Sequence, residues 1–168
     1  MILFFLRHGE AGHHYNTDFE RELTNDGKHA AANVGKFFTE MNMHFTHAFV
    51  SPLVRAQQTA QTVLQKLPPV VLTETKHLTP ESDPRNLFEL LRSYSNDSGI
   101  LLVTHEPFVS TCISTLISGT ENVNVVMKPT TLACVETTGA PSHGNGRLRW
   151  IVTPQIIEHL LKLPKTAS

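Results

Sequence analysis

The sequence has no excess of charge, no long apolar run and few cysteines. Its 14 Lys and Arg residues balance 15 Asp and Glu for a net charge of −1, so no basic field favours nucleic acid or a membrane surface. No apolar run approaches the roughly 20 residues of a membrane-spanning helix. We therefore expect a globular protein without nucleic-acid or membrane partners, and its 168 residues predict one domain, 1–168.

The two cysteines, Cys112 and Cys134, form no CxxC pair. Both stand among apolar residues, so we expect buried free thiols, a reducing compartment and a cytoplasmic location. The apolar stretch at residues 1–6 has neither a basic flank nor a small-residue cleavage site, which predicts a strand rather than a signal peptide. The sequence leaves the oligomeric state open, with a monomer as the expectation.

Apolar runs alternate with helix-start signals along the first two thirds of the chain, which predicts an α/β fold. Helices are expected to begin at Thr24 and at three cap-and-proline pairs, Ser51-Pro52, Asp83-Pro84 and Thr153-Pro154. Later strands at 131–137 and 147–152 flank a glycine-rich loop and predict an antiparallel hairpin. We predict a three-layer α/β/α domain with a mostly parallel sheet, whose first four strands lie at 1–6, 47–50, 70–72 and 100–103.

Reactive or cationic side chains follow three of the predicted strands. Arg7 and His8 follow the first, Arg55 lies in the first turn after the second, and His105 follows the fourth. Because parallel strands end at one edge of a sheet, where open α/β folds bind ligands, these four side chains should share one crevice. Guanidinium forks and helix N-termini suit a phosphoryl group. A neutral imidazole supplies a nucleophile, and flanking cations favour the neutral form.

Four motifs together resemble the histidine phosphatase superfamily, the phosphoglycerate-mutase-like fold. Residues 7–10 read RHGE, residues 21–27 read RELTNDG, residues 51–60 read SPLVRAQQTA and residues 104–107 read THEP. These match the superfamily's RHG signature, its R-x-L-T-x-x-G entry to the first helix, its SPxxRAxxTA motif and its second histidine. The short chain without a large insertion is most similar to the SixA-type phosphohistidine phosphatases.

The resemblance implies a covalent mechanism without metal or other cofactor. His8 is expected to become phosphorylated transiently, Arg7, Arg55 and His105 to bind the transferred phosphate, and water to hydrolyse the phosphoenzyme. Arg21 is a further candidate for binding the substrate phosphate, although a pair with Asp18 or Glu22 is an equal alternative. Adjacent histidines at 13 and 14 suggest zinc, but no cysteine has ligand spacing, so no metal site is predicted.

One departure from the resemblance concerns the general acid. Members that act on phosphate esters carry a carboxylate acid in an insertion, which is short here, and Glu81 is the nearest candidate. An alkoxide needs a proton to leave more than an imidazole does, so a weak acid favours a phosphoramidate substrate. The leading hypothesis is a phosphatase that hydrolyses phosphohistidine on a phosphorelay or phosphotransfer protein. The alternatives are a small-molecule phosphomonoesterase with Glu81 as acid, and a non-catalytic phosphate-binding module.

Overall fold

The computed structural model describes residues 1–13 and 16–164, and within these the chain alternates strands with helices. Within the described part, no helix is long and apolar enough to span a membrane. Two short 3-10 helices, Asp18–Glu20 and Lys76–Leu78, lie in connecting segments. The strands are β1 (Ile2–Arg7), β2 (His47–Val50), β3 (Val71–Glu74), β4 (Gly99–Thr104), β5 (Leu132–Thr137) and β6 (Gly146–Val152). The α-helices are α1 (Asn25–Glu40), α2 (Val54–Leu64), α3 (Pro84–Leu91), α4 (Phe108–Ser118) and α5 (Pro154–Lys162).

The strands form one six-stranded sheet in the order β3-β2-β4-β1-β5-β6. The pairs β3-β2, β2-β4 and β4-β1 are parallel, whereas β5 is antiparallel to both β1 and β6. The predicted mostly parallel sheet with an antiparallel C-terminal hairpin is therefore confirmed. Because β1, β2 and β4 run in the same direction, their carboxyl ends lie at one edge of the sheet, where the predicted site residues follow them.

Two buried apolar clusters cover the two faces of the sheet. Alternate side chains of β1 separate into them: Leu3 and Phe5 pack with residues of α3 and α4, while Phe4 and Leu6 pack with residues of α1, α2 and α5. This alternation follows from the two-residue period of a strand and gives the three layers expected of an α/β/α fold. The central strands are rigid supports, because neighbours on both faces hold them.

Helix starts agree with the capping signals at three of the four predicted positions. Side-chain oxygens of Thr24, Asp83 and Thr153 accept hydrogen bonds from backbone N–H groups in the first turns of α1, α3 and α5. The prediction that Ser51 caps α2 is wrong, because that helix begins later, at Val54, with Leu53 at its N-cap position. The hydroxyl of Ser51 has a different partner, described below. The predicted third strand is also displaced, from 70–72 to Val71–Glu74.

Candidate active site

His8 lies directly after β1 and is nearly buried, with 8% of its surface exposed. Its Nδ1 lies 2.6 Å from the backbone oxygen of Gly9, and its Nε2 lies 3.2 Å from Nε of Arg55. A carbonyl oxygen only accepts and a guanidinium nitrogen only donates, so the proton is on Nδ1 and Nε2 carries a lone pair. Burial lowers the pKa of His8 to about 4, with the Arg55 and Arg7 charges adding to the shift. His8 is therefore a neutral imidazole at neutral pH, and its Nε2 lone pair accepts the hydrogen bond from Arg55.

His105 follows β4 and lies against His8, with the ring centroids 4.9 Å apart. Its Nε2 lies 2.7 Å from Oγ of the fully buried Ser51. Burial lowers the pKa of His105 to about 2, with the neighbouring His8 and Arg55 adding to the shift. His105 is therefore a neutral imidazole at the floor of the same pocket.

The hydrogen bonds of Ser51 determine which ring nitrogen of His105 carries the proton. Ser51 Oγ accepts a long hydrogen bond from Leu53 N, at 3.4 Å, and its other described contact is His105 Nε2. The buried hydroxyl proton thus has His105 Nε2 as its acceptor, which leaves the ring proton on Nδ1. That Nδ1 is buried and has no hydrogen-bond partner. His105 therefore has a buried, unpaired Nδ1–H donor on a ring that lies against His8.

The two arginines of the pocket differ in what they bind. Arg7 donates from one terminal nitrogen to the backbone oxygen of Met127 at 2.7 Å, while its Nε is buried without a partner. Arg55 is almost fully buried and donates Nε to His8 and both terminal nitrogens to Asp18. Buried donors seldom lack partners, so the unpaired Arg7 Nε and His105 Nδ1 favour an anionic ligand between them.

Asp18 forms ion pairs with two arginines, Arg55 and Arg21. Its Oδ2 lies 2.9 Å from Arg55 and its Oδ1 lies 2.9 Å from Arg21. Arg21 also donates Nε to the backbone oxygen of Gly12 at 2.9 Å. The hydrogen bonds from Arg21 and Arg55 hold the pKa of Asp18 below its usual range, although slight desolvation opposes them. Arg21 thus makes the pair with Asp18 that the sequence left open, and it stands at the rim of the pocket.

The motifs interlock through backbone contacts around Gly9. Its N–H donates to Thr59 Oγ1 at 3.0 Å, and that hydroxyl donates to the backbone oxygen of Arg55 at 2.7 Å. A Cβ at Gly9 would lie 2.9 Å from the backbone oxygen of Gly27, so α1 packs too closely for a larger residue. Thr59 and the two glycines therefore fix the positions of the RHGE motif, the RELTNDG motif and the start of α2 relative to one another.

Glu81, the candidate acid, lines a hollow beside the segment that follows His105. It is exposed, and Pro107, Phe108 and Glu121 line the same hollow of about 310 Å³. Within the described part of the chain it makes no hydrogen bond or ion pair with Arg7, His8, Arg55 or His105. The structure thus gathers those four side chains at the sheet edge, adds Arg21 through Asp18, and leaves Glu81 on the flank.

Sequence reasoning missed three contributors to this site: the Ser51 hydroxyl, the Asp18 carboxylate and the Met127 backbone oxygen. The serine was interpreted as a helix cap, and Asp18 was considered only as a partner of Arg21. A backbone acceptor such as that of Met127 leaves no signal in side-chain chemistry.

The described residues contain no group of side chains that is suited to binding a metal ion. No three His, Cys, Asp or Glu side chains among residues 1–13 and 16–164 are grouped so that they can hold a metal ion. Of the adjacent histidines at positions 13 and 14, the second lies outside the described residues. Both cysteines are buried free thiols, as expected, and burial raises the pKa of Cys134 to about 11.

Comparisons with known proteins show what this chain is similar to. The model of the histidine phosphatase superfamily, branch 1, matches residues 3–79. Over 157 residues the chain is 26% identical to the phosphohistidine phosphatase SixA of Escherichia coli, with 92% of this chain and 94% of that protein aligned.

Solved structures agree with the sequence matches. A protein histidine phosphatase SixA complexed with tungstate superposes with a TM-score of 0.84 at 25% identity, over 92% of this chain and 98% of that one. The alpha-ribazole phosphatase of Shigella flexneri shares the fold at a TM-score of 0.71 and 18% identity, over 92% of this chain and 97% of that one.

These matches confirm the resemblance seen in the four motifs: the superfamily's model matches residues 3–79, and the fold is that of the solved SixA structure. The chain is a homologue of the phosphohistidine phosphatase SixA at low identity over nearly its full length. Phosphatases of other substrates share the fold, so the fold alone does not select the substrate.

Proposed function

We propose that this protein hydrolyses phosphohistidine through a covalent intermediate on Nε2 of His8. The observation that carries the proposal is the protonation state of that ring. Its proton is held on Nδ1 by the Gly9 carbonyl, and its Nε2 lone pair accepts a hydrogen bond from Nε of Arg55, a donor that a phosphoryl oxygen takes over when the lone pair attacks phosphorus. A neutral buried imidazole with its lone pair in a cationic pocket is arranged to attack an electrophilic phosphorus.

In the first step the lone pair of His8 Nε2 forms a bond to phosphorus as the bond from phosphorus to the leaving group breaks. The unpaired Nε–H of Arg7 and Nδ1–H of His105 are the donors available to the non-bridging oxygens. Arg55 keeps one hydrogen on each terminal nitrogen after serving Asp18, so it adds further donors. These groups stabilise charge on the transferred phosphoryl in a site largely closed to water.

In the second step the oxygen of water forms a bond to phosphorus, the bond from phosphorus to His8 Nε2 breaks, and the protons of water stay on the phosphate that is released. Because the proton on Nδ1 stays with the ring, phosphorylated His8 is a cationic ring that departs as neutral imidazole when the phosphorus–nitrogen bond breaks. The Gly9 carbonyl holds that proton through both steps. The hydrolysis of the intermediate therefore requires no carboxylic acid to protonate the leaving nitrogen.

Phosphohistidine is the substrate that this arrangement favours. Glu81, the candidate acid for esters, lies outside contact with the four central side chains. A homologue named for phosphohistidine phosphatase activity aligns over 92% of the chain. A protein that carries phosphohistidine for phosphorelay or phosphotransfer is the corresponding partner class, and the exposed rim around Asp18 and Arg21 leaves the pocket open to it.

The test compares turnover of a phosphohistidine-bearing protein with turnover of a panel of phosphate esters, using the parent and His8→Ala. We expect higher kcat/KM on phosphohistidine, loss of activity by on the order of 10⁴ in His8→Ala, and an acid-labile phosphate on the parent that mass spectrometry assigns to His8. His44→Ala is the matched control, since His44 is an exposed histidine bonded to Asn42.

Three results would contradict the proposal. Parent-level turnover by His8→Ala excludes the nucleophile, and higher kcat/KM on an ester supports the phosphomonoesterase. Negligible turnover of every substrate together with tight vanadate binding supports the non-catalytic module.

A further inference from the structure

The carboxylate of Asp18 is placed at the mouth of the pocket with unused hydrogen-bonding capacity. Its side chain is 61% exposed, whereas that of its partner Arg55 is 5% exposed. One carboxylate oxygen accepts from Arg21 and the other from Arg55. Each oxygen has two lone pairs, so each retains one acceptor position, and the exposure shows that solvent or a ligand can reach it.

The position of Asp18 relative to the nucleophile is set by one guanidinium. Arg55 donates Nε to His8 Nε2, and its two terminal nitrogens bind the backbone oxygen and Oδ2 of Asp18 at 2.6 and 2.9 Å. The charge of Asp18 also acts on His105. Asp18 is thus an exposed carboxylate that one buried guanidinium ties to the nucleophile.

Ionisation limits what Asp18 can do there. Hydrogen bonds from Arg21 and Arg55 lower the pKa of its carboxyl, so the group is an anion at neutral pH. It has no proton to give to an alkoxide. It can accept a hydrogen bond from a cationic or neutral N–H of the substrate.

A phosphohistidine needs a proton on the ring nitrogen that does not carry phosphorus. With that nitrogen bare, breaking the phosphorus–nitrogen bond leaves an imidazolate anion. With that nitrogen protonated from solvent, the bonding electron pair passes into the ring and a neutral imidazole departs with its proton still attached. No proton is transferred during the step, so an anchored anion beside the N–H is sufficient.

Resting on the proposed function, we propose that Asp18 is its specificity-determining residue: it accepts a hydrogen bond from the protonated ring nitrogen of the substrate phosphohistidine and so stabilises the cationic ring that can leave as imidazole. Asp18 then does for the substrate ring what the Gly9 carbonyl does for His8. The two imidazoles between which phosphorus moves are each held in their protonated, easily displaced form by an oxygen acceptor.

The proposal predicts a change in substrate ratio, measured with Asp18→Asn on N-phosphoimidazole and on p-nitrophenyl phosphate. The p-nitrophenolate group leaves without a proton, so it does not need the acceptor. We expect the ratio of kcat/KM for phosphoimidazole to that for the ester to fall about tenfold or more at mildly alkaline pH, the range expected for one charged hydrogen bond. The difference between this ratio in Asp18→Asn and in the parent should become smaller as the pH falls below neutrality, because solvent then protonates the substrate ring.

Glu20→Gln is the matched control, because Glu20 lies in the same 3-10 helix, is exposed and accepts a hydrogen bond from Thr17. It should leave the ratio unchanged. An unchanged ratio in Asp18→Asn, or an equal fall on both substrates, overturns the proposal, because the carboxylate then only orients the arginines. If the asparagine variant does not fold, the same ratio is measured with Asp18→Ser, for which we expect the same fall. Failure of the parent itself on phosphoimidazole is a different outcome, since it removes the proposed function on which the inference rests.

Discussion

The floor and the rim of the pocket are held together by different forces. At the floor, His8, His105 and Ser51 are buried. Short hydrogen bonds between neutral groups join His8 to the Gly9 carbonyl and His105 to Ser51. At the rim, Asp18 and Arg21 are more exposed and form an ion pair. Burial keeps the floor imidazoles neutral, and charge pairing keeps the rim ionised, so adjacent parts of one site have opposite protonation preferences.

Because of this difference, we expect the floor and the rim to have separate functions. Neutral rings with defined protons suit bond making at phosphorus, and exposed charges suit recognition of the molecule that delivers it. Salt screens exposed charges much more than buried hydrogen bonds, so recognition should depend on ionic strength more than the chemical step does. Arg55 touches both regions, through its hydrogen bonds to His8 and Asp18.

Removing Arg55 should disrupt both the floor and the rim and should lower activity most among the four residues changed below, although less than the loss of His8 itself. We expect Arg55→Ala to lower kcat/KM by about 10² to 10³, because a preorganised charged donor is lost from the phosphoryl site. Arg55→Lys should recover only part of the loss, since an ammonium cannot donate to His8 and Asp18 as a planar fork does. Steady-state kinetics measure both variants. A lysine variant with full activity would show that charge alone is required.

A substitution at Ser51 tests whether the protonation of the floor histidine His105 matters for catalysis, without changing the rim. Ser51→Ala removes the proton donated to His105 Nε2, so both ring tautomers become populated and kcat should fall about tenfold, in the range of one lost buried hydrogen bond. Nitrogen-15 NMR of the histidine rings should show a protonated Nδ1 on His105 in the parent and a mixture in the variant. Ser93→Ala, at an exposed serine bonded to the backbone of Leu90, is the control. A protonated Nε2 in the parent would refute the tautomer assignment.

As the pH falls, the protein should lose the stability that its buried histidines contribute before it loses the stability that ionised Asp18 contributes. The unfolded chain binds protons at its histidines below about pH 6.5, whereas His8 in the folded protein resists protonation to about 4 and His105 to about 2. The unfolded state thus holds more protons in this interval, and the unfolding free energy falls by about 1.4 kcal/mol per pH unit for each histidine. The carboxyl of Asp18 has a lowered pKa, so its contribution is retained until more acidic pH.

Thermal melts across this interval measure the effect. The slope of Tm against pH should be smaller in His105→Asn, which lacks one of the two buried imidazoles. An equal slope in that variant and in the parent would show that the floor histidines are not responsible.

Neutralising Glu81 should have the smallest effect. Glu81→Gln leaves both regions intact because the side chain contacts neither of them, so kcat/KM on phosphohistidine should change less than about twofold. The kinetics of the same variant on phenolic and sugar phosphates complete the test. A large loss on those esters would support the phosphomonoesterase with Glu81 as its acid.

The order and type of the main elements could be predicted from local patterns, because apolar periodicity and capping residues act within a few positions. Thr24, Asp83 and Thr153 cap helices as their sequence contexts predict. Ser51 does not, although the Ser-Pro pair has the same form. There the imidazole of His105 competes for the hydroxyl, and a partner 54 residues away lies beyond local reasoning.

The sequence by itself determined which side chains meet at the candidate site, since Arg7, His8, Arg55 and His105 follow strands whose parallel direction brings their ends to one edge. Only the tertiary structure decided how those groups are protonated and paired. Arg7 binds a carbonyl 120 residues away and Arg55 binds a carboxylate 37 residues away. Hydrogen bonds and burial that cross such separations exist only in the folded chain, and they make His8 neutral, direct the proton of His105 into the pocket and place Asp18 at its mouth.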